Sequence, residues 1–467
     1  MLRLKWVVSQ RSVAAVVAPL AFALSMGISH HAIAACTPAG PYGAENNTIV
    51  CNPGAGETIT TDGGVDSVTV NSGTTGAIDV GIENDTVDVT GGTTGTIAGG
   101  DGNDTITVSG GTTGAISGQN NDDKITINAG STLTGTVNGN AGNDLIVING
   151  GVSGNNVTAG TGTGSVGDTS DRIFMFDGTI TGGEVQLGSG DNNFFFFMGG
   201  TIQPNGGGAG SVEINRGSRN SVLVFDGGTL TVDEGIEFQS GNAGLVAGPK
   251  DPTIYFRSGT IEAEEIELVA TDFGGANPTN VTVIFDPINS KDPAFFQALA
   301  NAASNGSDPT LSTANLNAAL FSAPENPDAD HQMIVKSEEI SFGDGNDTLI
   351  FDGAVNFGEE HHNLVLQGEE DEPGEFEITE FGGGGGDNTL TVTGGSKLML
   401  GEVEDFGEIN VFNQSTLILS ATSEGGVPAE YEDIEELNID GSSVVWVTGA
   451  AEFEADHIEI GGPNGGA

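Results

Sequence analysis

The sequence predicts an all-β fold: a right-handed parallel β-helix (β-solenoid) with a small helical insertion. Three observations predict it. Asp66, Asp85, Asp104 and Asp123 recur every 19 residues, and Asp144 follows 21 later. Each begins a short run in which apolar and polar residues alternate, as in Thr105-Ile106-Thr107-Val108, and a period of two marks a half-buried strand. Glycine supplies 76 of 467 residues, which suits a chain with many tight corners, because glycine enters positive-φ turns without steric cost.

Residues 1–35 read as a secretory signal peptide. Arg3, Lys5 and Arg11 give a positive start, Val13 to Ile28 is an apolar run, and Ala32-Ile33-Ala34 is a small-x-small cleavage site. The run is too short, and too soon followed by cleavable residues, for a membrane anchor. Its removal leaves nine basic residues against 65 acidic ones, a charge of −56. Residues 36–62 read as an N-terminal cap. Cys36 and Cys51 stand 15 residues apart, and in an oxidising compartment a disulfide between them stabilises by about 3 kcal/mol in the loop-entropy model. A rival reading is a loose lipoprotein box, Ile33-Ala34-Ala35-Cys36, which would lipidate Cys36 and leave Cys51 alone.

Residues 63–285 carry the main solenoid. The inward pairs are Val68/Val70, Val87/Val89, Ile106/Val108, Ile125/Ile127 and Ile146/Ile148. Second strands start at Gly76-Ala77-Ile78, Gly95-Thr96-Ile97, Gly114-Ala115-Ile116 and Gly135-Thr136-Val137. A wider register follows, marked by Gly178-Thr179-Ile180, Gly200-Thr201-Ile202, Gly228-Thr229-Leu230 and Gly259-Thr260-Ile261. Phenylalanine, as at Phe195, Phe197, Phe225 and Phe256, is expected to fill its interior. No coil can bury its own apolar face, so the core must come from stacking neighbours. An antiparallel sandwich alternates in the same way, but turns in phase every 19 residues argue against it. Residues 286–335 break the pattern. Asp292-Pro293 and Asp308-Pro309 each place a capping side chain before proline at the first helical position, which predicts helices over 294–304 and 310–321. Packing on the solenoid flank is their expected role, with partner binding the alternative. Residues 336–467 resume the strands, with acidic turns such as Glu369-Glu370-Asp371-Glu372.

The net charge of −53 repels phosphate backbones and anionic lipid headgroups, which excludes nucleic acid as the main partner and points to cations or basic surfaces. Catalysis has little to stand on. The mature chain has four histidines (His331, His361, His362, His457) and no nucleophile elbow or zinc-ligand spacing. Glu359-Glu360-His361-His362 reads as an exposed polar turn rather than a metal site. Arg216 and Arg219, the one basic cluster, could serve a polysaccharide lyase, but countering local negative charge is the simpler role. With 65 acids, any chosen carboxylate pair is uninformative about glycoside hydrolysis.

The signal peptide, the cysteine pair at the mature N-terminus and the long acidic Gly/Thr/Asn-rich repeat resemble the passenger domains of Gram-negative autotransporters (type V secretion). That resemblance implies export to the cell surface or medium, a C-terminal outer-membrane barrel and, in many members, adhesion. The chain stops at Gly462-Pro463-Asn464-Gly465-Gly466-Ala467 without amphipathic membrane strands, so the resemblance implies either a fragment or another exit route. A local stretch, Gly99-Gly100-Asp101-Gly102-Asn103-Asp104-Thr105-Ile106-Thr107, is similar to the calcium-binding nonapeptide of RTX proteins, with near matches at 139–147 and 342–350 and a copy at 383–391 carrying Asn388 in place of Asp. It implies Ca²⁺ ligands at Asp101, Asp104, Asp144, Asp344 and Asp347. Stacked aspartates about 4.8 Å apart would repel by roughly 0.9 kcal/mol per neighbour even in water, so the side chains should either splay into solvent or hold Ca²⁺ between coils. The expected function is an adhesin or other surface-interaction protein with a host or neighbouring-cell ligand. The alternatives are an extracellular polysaccharide lyase or hydrolase, and an RTX-like calcium-binding secreted protein.

Overall fold

The structure, a computed structural model, describes residues 36–461 except 53, 161–169, 183, 189–191, 204–211, 216–220, 233–234, 239–251, 269–279, 327–331, 344, 359–361, 369–378, 421–429 and 449–451. The signal-peptide segment, Arg216, Arg219, His331, Asp344, Glu359 to His361 and the acidic turn at Glu369 to Glu372 thus lie outside the described residues.

The chain is all-β, and its strands pair in parallel at the spacing of the sequence repeat. Thr48–Cys51 lies beside Ser67–Val70, followed by Thr86–Val89, Thr105–Val108, Lys124–Asn128 and Leu145–Ser153. A second sheet advances in step, through Ile59–Thr60, Ile78–Asp79, Ile97–Asp101, Ile116–Asn120 and Val137–Ala141. Each early repeat, or rung, adds two strands to the larger sheet, such as Ser67–Val70 and Gly73–Thr75, and one to the smaller, such as Ile78–Asp79. Among the described residues the larger sheet has 24 strands and the smaller 13, and a third of three strands joins them near the end. The ladder continues through Arg172–Ile180, Phe194–Phe197, Val222–Thr231, Thr253–Glu262, Thr282–Phe285 and Thr348–Asp352 to Glu430–Ile439 and Glu452–Ile460.

The first rung starts inside the segment expected to be a cap, because Thr48 already pairs with Ser67. What precedes it does cover the edge. Thr37 and Val50 exchange two backbone hydrogen bonds of 2.8 and 2.9 Å, and the Cys36–Cys51 disulfide, with both cysteines buried, pins this flap to the first strand. Cys36 is thereby paired, and not the lone lipid acceptor of the rival reading.

The predicted inward residues line one continuous core, with Ile106, Val108, Ile125 and Ile146 fully enclosed. Further along, aromatic rings stack rung on rung: Phe225, Phe256, Phe285 and Phe351 have successive centroids 5.3, 5.1 and 5.0 Å apart. Not all the phenylalanines fill this interior. Phe195 and Phe197 do, but Phe174, Phe194 and Phe196 point outward into a second core, with Leu145, Val147 and Val224. The insertion covers that core.

Within the insertion, α1 (Pro293–Ala302) is capped by Asp292, whose carboxylate accepts the Ala294 N–H at 2.9 Å. The second helix begins later than its proline suggests. Asp308 caps a single 3₁₀ turn, Pro309–Leu311, and α2 (Thr313–Ser322) has its own cap in Ser312. Phe296 of α1 packs on Phe196 at 4.3 Å between centroids. Lys124 Nζ reaches from the stack to donate to the carbonyls of Ala300 (3.2 Å), Asn301 (3.4 Å) and Ala303. These are the unpaired carbonyls at the helix C-terminus, where a cation is also favoured by the helix dipole.

Candidate functional site

The 19-residue aspartates form a buried column. Each stands immediately before a strand, where the chain turns and a backbone N–H points along the stack with no strand partner; a buried unpaired N–H is costly. The aspartate of the next rung supplies the acceptor. The N–H of Asp66 donates to Asp85 Oδ1 at 2.6 Å, that of Asp85 to Asp104 at 2.8 Å, and that of Asp104 to Asp123 at 2.8 Å. The same bond continues from Asp123 to Asp144 (2.8 Å), Asp144 to Asp171 (2.9 Å) and Asp171 to Asn193 (2.8 Å). One residue earlier in each turn an outer ladder runs in the opposite direction. Asn84 Oδ1 accepts from the Asn103 N–H at 2.8 Å, and Asp122 Oδ1 from the Asn143 N–H at 2.7 Å. The two columns sew successive turns together in both directions.

The second oxygen of each inner aspartate is the unusual one. Oδ2 of Asp66, Asp85, Asp104 and Asp123 is enclosed and has no hydrogen-bond partner. At Asp104 and Asp123 it rests against a glycine five residues earlier: a Cβ on Gly99 would collide with Asp104 Oδ2 and the Gly118 carbonyl, and one on Gly118 with Asp123 Oδ2 and the Gly139 carbonyl. Leading glycine and aspartate of the nonapeptide are thus a packing pair. Asn388 shows what the place asks for. It sits before Thr389 as Asp123 sits before Lys124, its Oδ1 accepts the Asp347 N–H at 2.8 Å, and a Cβ on Gly383 would meet its Nδ2 and the Asp405 carbonyl. That Nδ2 donates to the carbonyls of Gly383 (2.7 Å) and Asp405 (3.0 Å). The pocket wants one acceptor and one donor, which an amide provides and a carboxylic acid provides only when protonated. Burial, the largest cause, accordingly raises Asp85 to about 7, Asp104 to about 6 and Asp123 to about 8, with neighbouring carboxylates adding to the rise.

These placements revise the expectation for the column. The side chains do not splay into water: Asp104 and Asp144 are buried. Of the five predicted Ca²⁺ ligands, Asp101 is exposed and accepts from Asn120 Nδ2 at 2.6 Å. Asp104 and Asp144 stand two rungs apart with Asp123 between them, each with Oδ1 taken by a backbone N–H. Asp347 occupies the same column position six rungs beyond Asp144, after Asp171, Asn193, Ser221, Pro252 and Val281. Asp344 is outside the described residues. Among the described residues, Asp101, Asp104, Asp144 and Asp347 are not gathered at one point, and the enclosed Oδ2 atoms of Asp104 and Asp123 face backbone carbonyls. Asp171, Asn193 and Asn388 also belong to the column; the signal for them is an Asp or Asn directly preceding a strand.

A second feature lies on the outside of the last described rungs. A groove of about 930 Å³ is walled by Asp387, Asp405, Glu408, Glu435, Glu436 and Asp456, with His457 among them. The register stacks Thr389, Glu408, Glu436 and His457 on successive rungs. Asn438 Nδ2 ties this wall together, donating to Asn410 Oδ1 at 3.1 Å and Glu408 Oε1 at 3.4 Å. In comparisons with known proteins, no family model, no curated protein and no solved structure matches this chain.

Proposed function

We propose that this protein is an exported, right-handed parallel β-helix that works at the cell surface or in the medium as an adhesin or other surface-interaction protein. The hand follows from the strong preference of parallel crossover connections for the right-handed sense. The observation that carries the reading is the use of one long parallel stack, from Thr48 to Ile460, to lay acidic side chains in register along its outside. Glu265, Glu339 and Glu380 pair in successive rungs of the second sheet, and burial together with the Glu265 charge raises the pKa of Glu339. A row of this kind favours an extended basic partner, or one bridged by cations, over any phosphate-bearing polymer. Export rests on the signal peptide read from the sequence.

The labelled mature protein should bind host or neighbouring-cell surfaces saturably, and more tightly than an acidic protein of matched charge. Equal binding by that control overturns the proposal, as does turnover of any member of a panel of acidic and neutral polysaccharides.

A further inference from the structure

We propose that Glu436, His457 and Glu459 form a binding site for a divalent transition-metal ion of the Zn²⁺ class. His457 and Glu459 are two residues apart on the strand Glu452–Ile460, so they project from the same face. Glu436, on Glu430–Ile439, is the register partner of His457. One ligand atom from each of the three lies within 4.8 Å of the others. A tetrahedral ion with bonds of about 2.0–2.2 Å needs its ligand atoms roughly 3.4 Å apart. Glu436 is only half-buried and His457 exposed, so small side-chain rotations close that gap.

The donor set decides the class of ion. An all-carboxylate row on this surface would suit Ca²⁺ or Mg²⁺, which take oxygen ligands, whereas an imidazole beside two carboxylates favours Zn²⁺ and its neighbours. The wall around the three is already ordered by Asn438, the register partner of Glu459, through its bonds to Asn410 and Glu408. Three protein ligands leave a coordination position open. Glu436 and His457 line the 930 Å³ groove, so that position is available to water or to an oxygen donor entering from the groove. The inference is independent of the adhesin reading.

The test uses the mature protein, stripped with chelator and titrated with Co²⁺ as a spectroscopic probe and with Zn²⁺ by calorimetry, in excess Mg²⁺. One ion per chain should bind at this site. His457→Ala and Glu436→Gln should each weaken binding by more than the roughly 10–100-fold that loss of an outer-shell partner costs, without moving the melting temperature of the metal-free protein. A His361→Ala/His362→Ala double variant should bind as the parent does. Binding that survives His457→Ala, that Mg²⁺ displaces at equal concentration, or that the double variant abolishes would overturn the proposal.

Discussion

Asp123 is enclosed on all sides, yet only one of its carboxyl oxygens has a partner. The correspondence with Asn388 puts Asp123 Oδ2 where a donor belongs, so the neutral acid fits and the carboxylate does not. The sign of the linkage follows. A folded pKa of about 8 against the ordinary 3.8 means the folded chain keeps a proton that the unfolded chain has released. The stabilisation is complete below about pH 4 and is lost as pH climbs through 8. One pKa unit is about 1.4 kcal/mol, so across that window the loss at this residue is on the order of a few kcal/mol. Asp123→Asn should therefore match the parent below about pH 4 and exceed it near pH 9, in denaturant unfolding followed across pH. A difference that does not change with pH would disprove the proton. Asp123→Ala removes the acceptor for the Asp104 N–H and should cost about 1–3 kcal/mol at low pH, where the parent keeps its proton, and the cost should shrink as pH climbs through 8.

At the scale of elements, the insertion is a lid on the apolar outer face of the stack rather than an appendage. Leu145, Val147, Phe174, Phe194 and Phe196 would face water without α1 and α2. Phe296→Ala should cost about 3–5 kcal/mol, the usual loss for a buried phenylalanine. Lys124→Met should loosen the end of α1 while leaving the rungs intact. Hydrogen exchange would read both as faster exchange over residues 293–322; protection unchanged in both variants would mean the helices dock by other contacts. The same elements show what sequence pattern can and cannot convey. Alternation placed Thr105–Val108 and its copies correctly, because one face of each strand meets the core and the other meets water. At Phe194-Phe195-Phe196-Phe197 the alternation is masked, since both faces are buried, one against the stack and one beneath α1. The aspartate column was half legible. Asp104 shares the inward face of Ile106 and Val108 by simple period two, but the rule that carboxylates belong in water pointed it outward, and a local hydrogen-bond demand prevailed. His457 and Glu436 were not legible as neighbours. They are 21 residues apart, and the register between their strands shifts at Tyr431/Ile434, which no spacing rule anticipates.

The whole molecule carries 65 acidic against 12 basic residues on a stack whose rungs touch only their neighbours, so stability is a sum of rung and interface terms. Like charges on successive rungs, one strand spacing of about 4.8 Å apart, lie well inside the screening length of about 10 Å at 0.1 M salt and outside the roughly 3 Å reached at 1 M. Salt should therefore raise the melting temperature steadily across that range. Cations that act only by screening will act according to ionic strength alone. Among the described residues, the inner aspartates already have their Oδ1 atoms bonded to backbone N–H groups, and Asp101 is held by Asn120, so these turns do not present an open carboxylate cage. At matched ionic strength, millimolar Ca²⁺, Mg²⁺ and NaCl should thus shift melting equally. A larger shift with Ca²⁺ than with Mg²⁺ would show a specific calcium site. If that excess disappears in Asp101→Asn but persists in Asp104→Asn, the ion sits on the outer turn and not in the buried column.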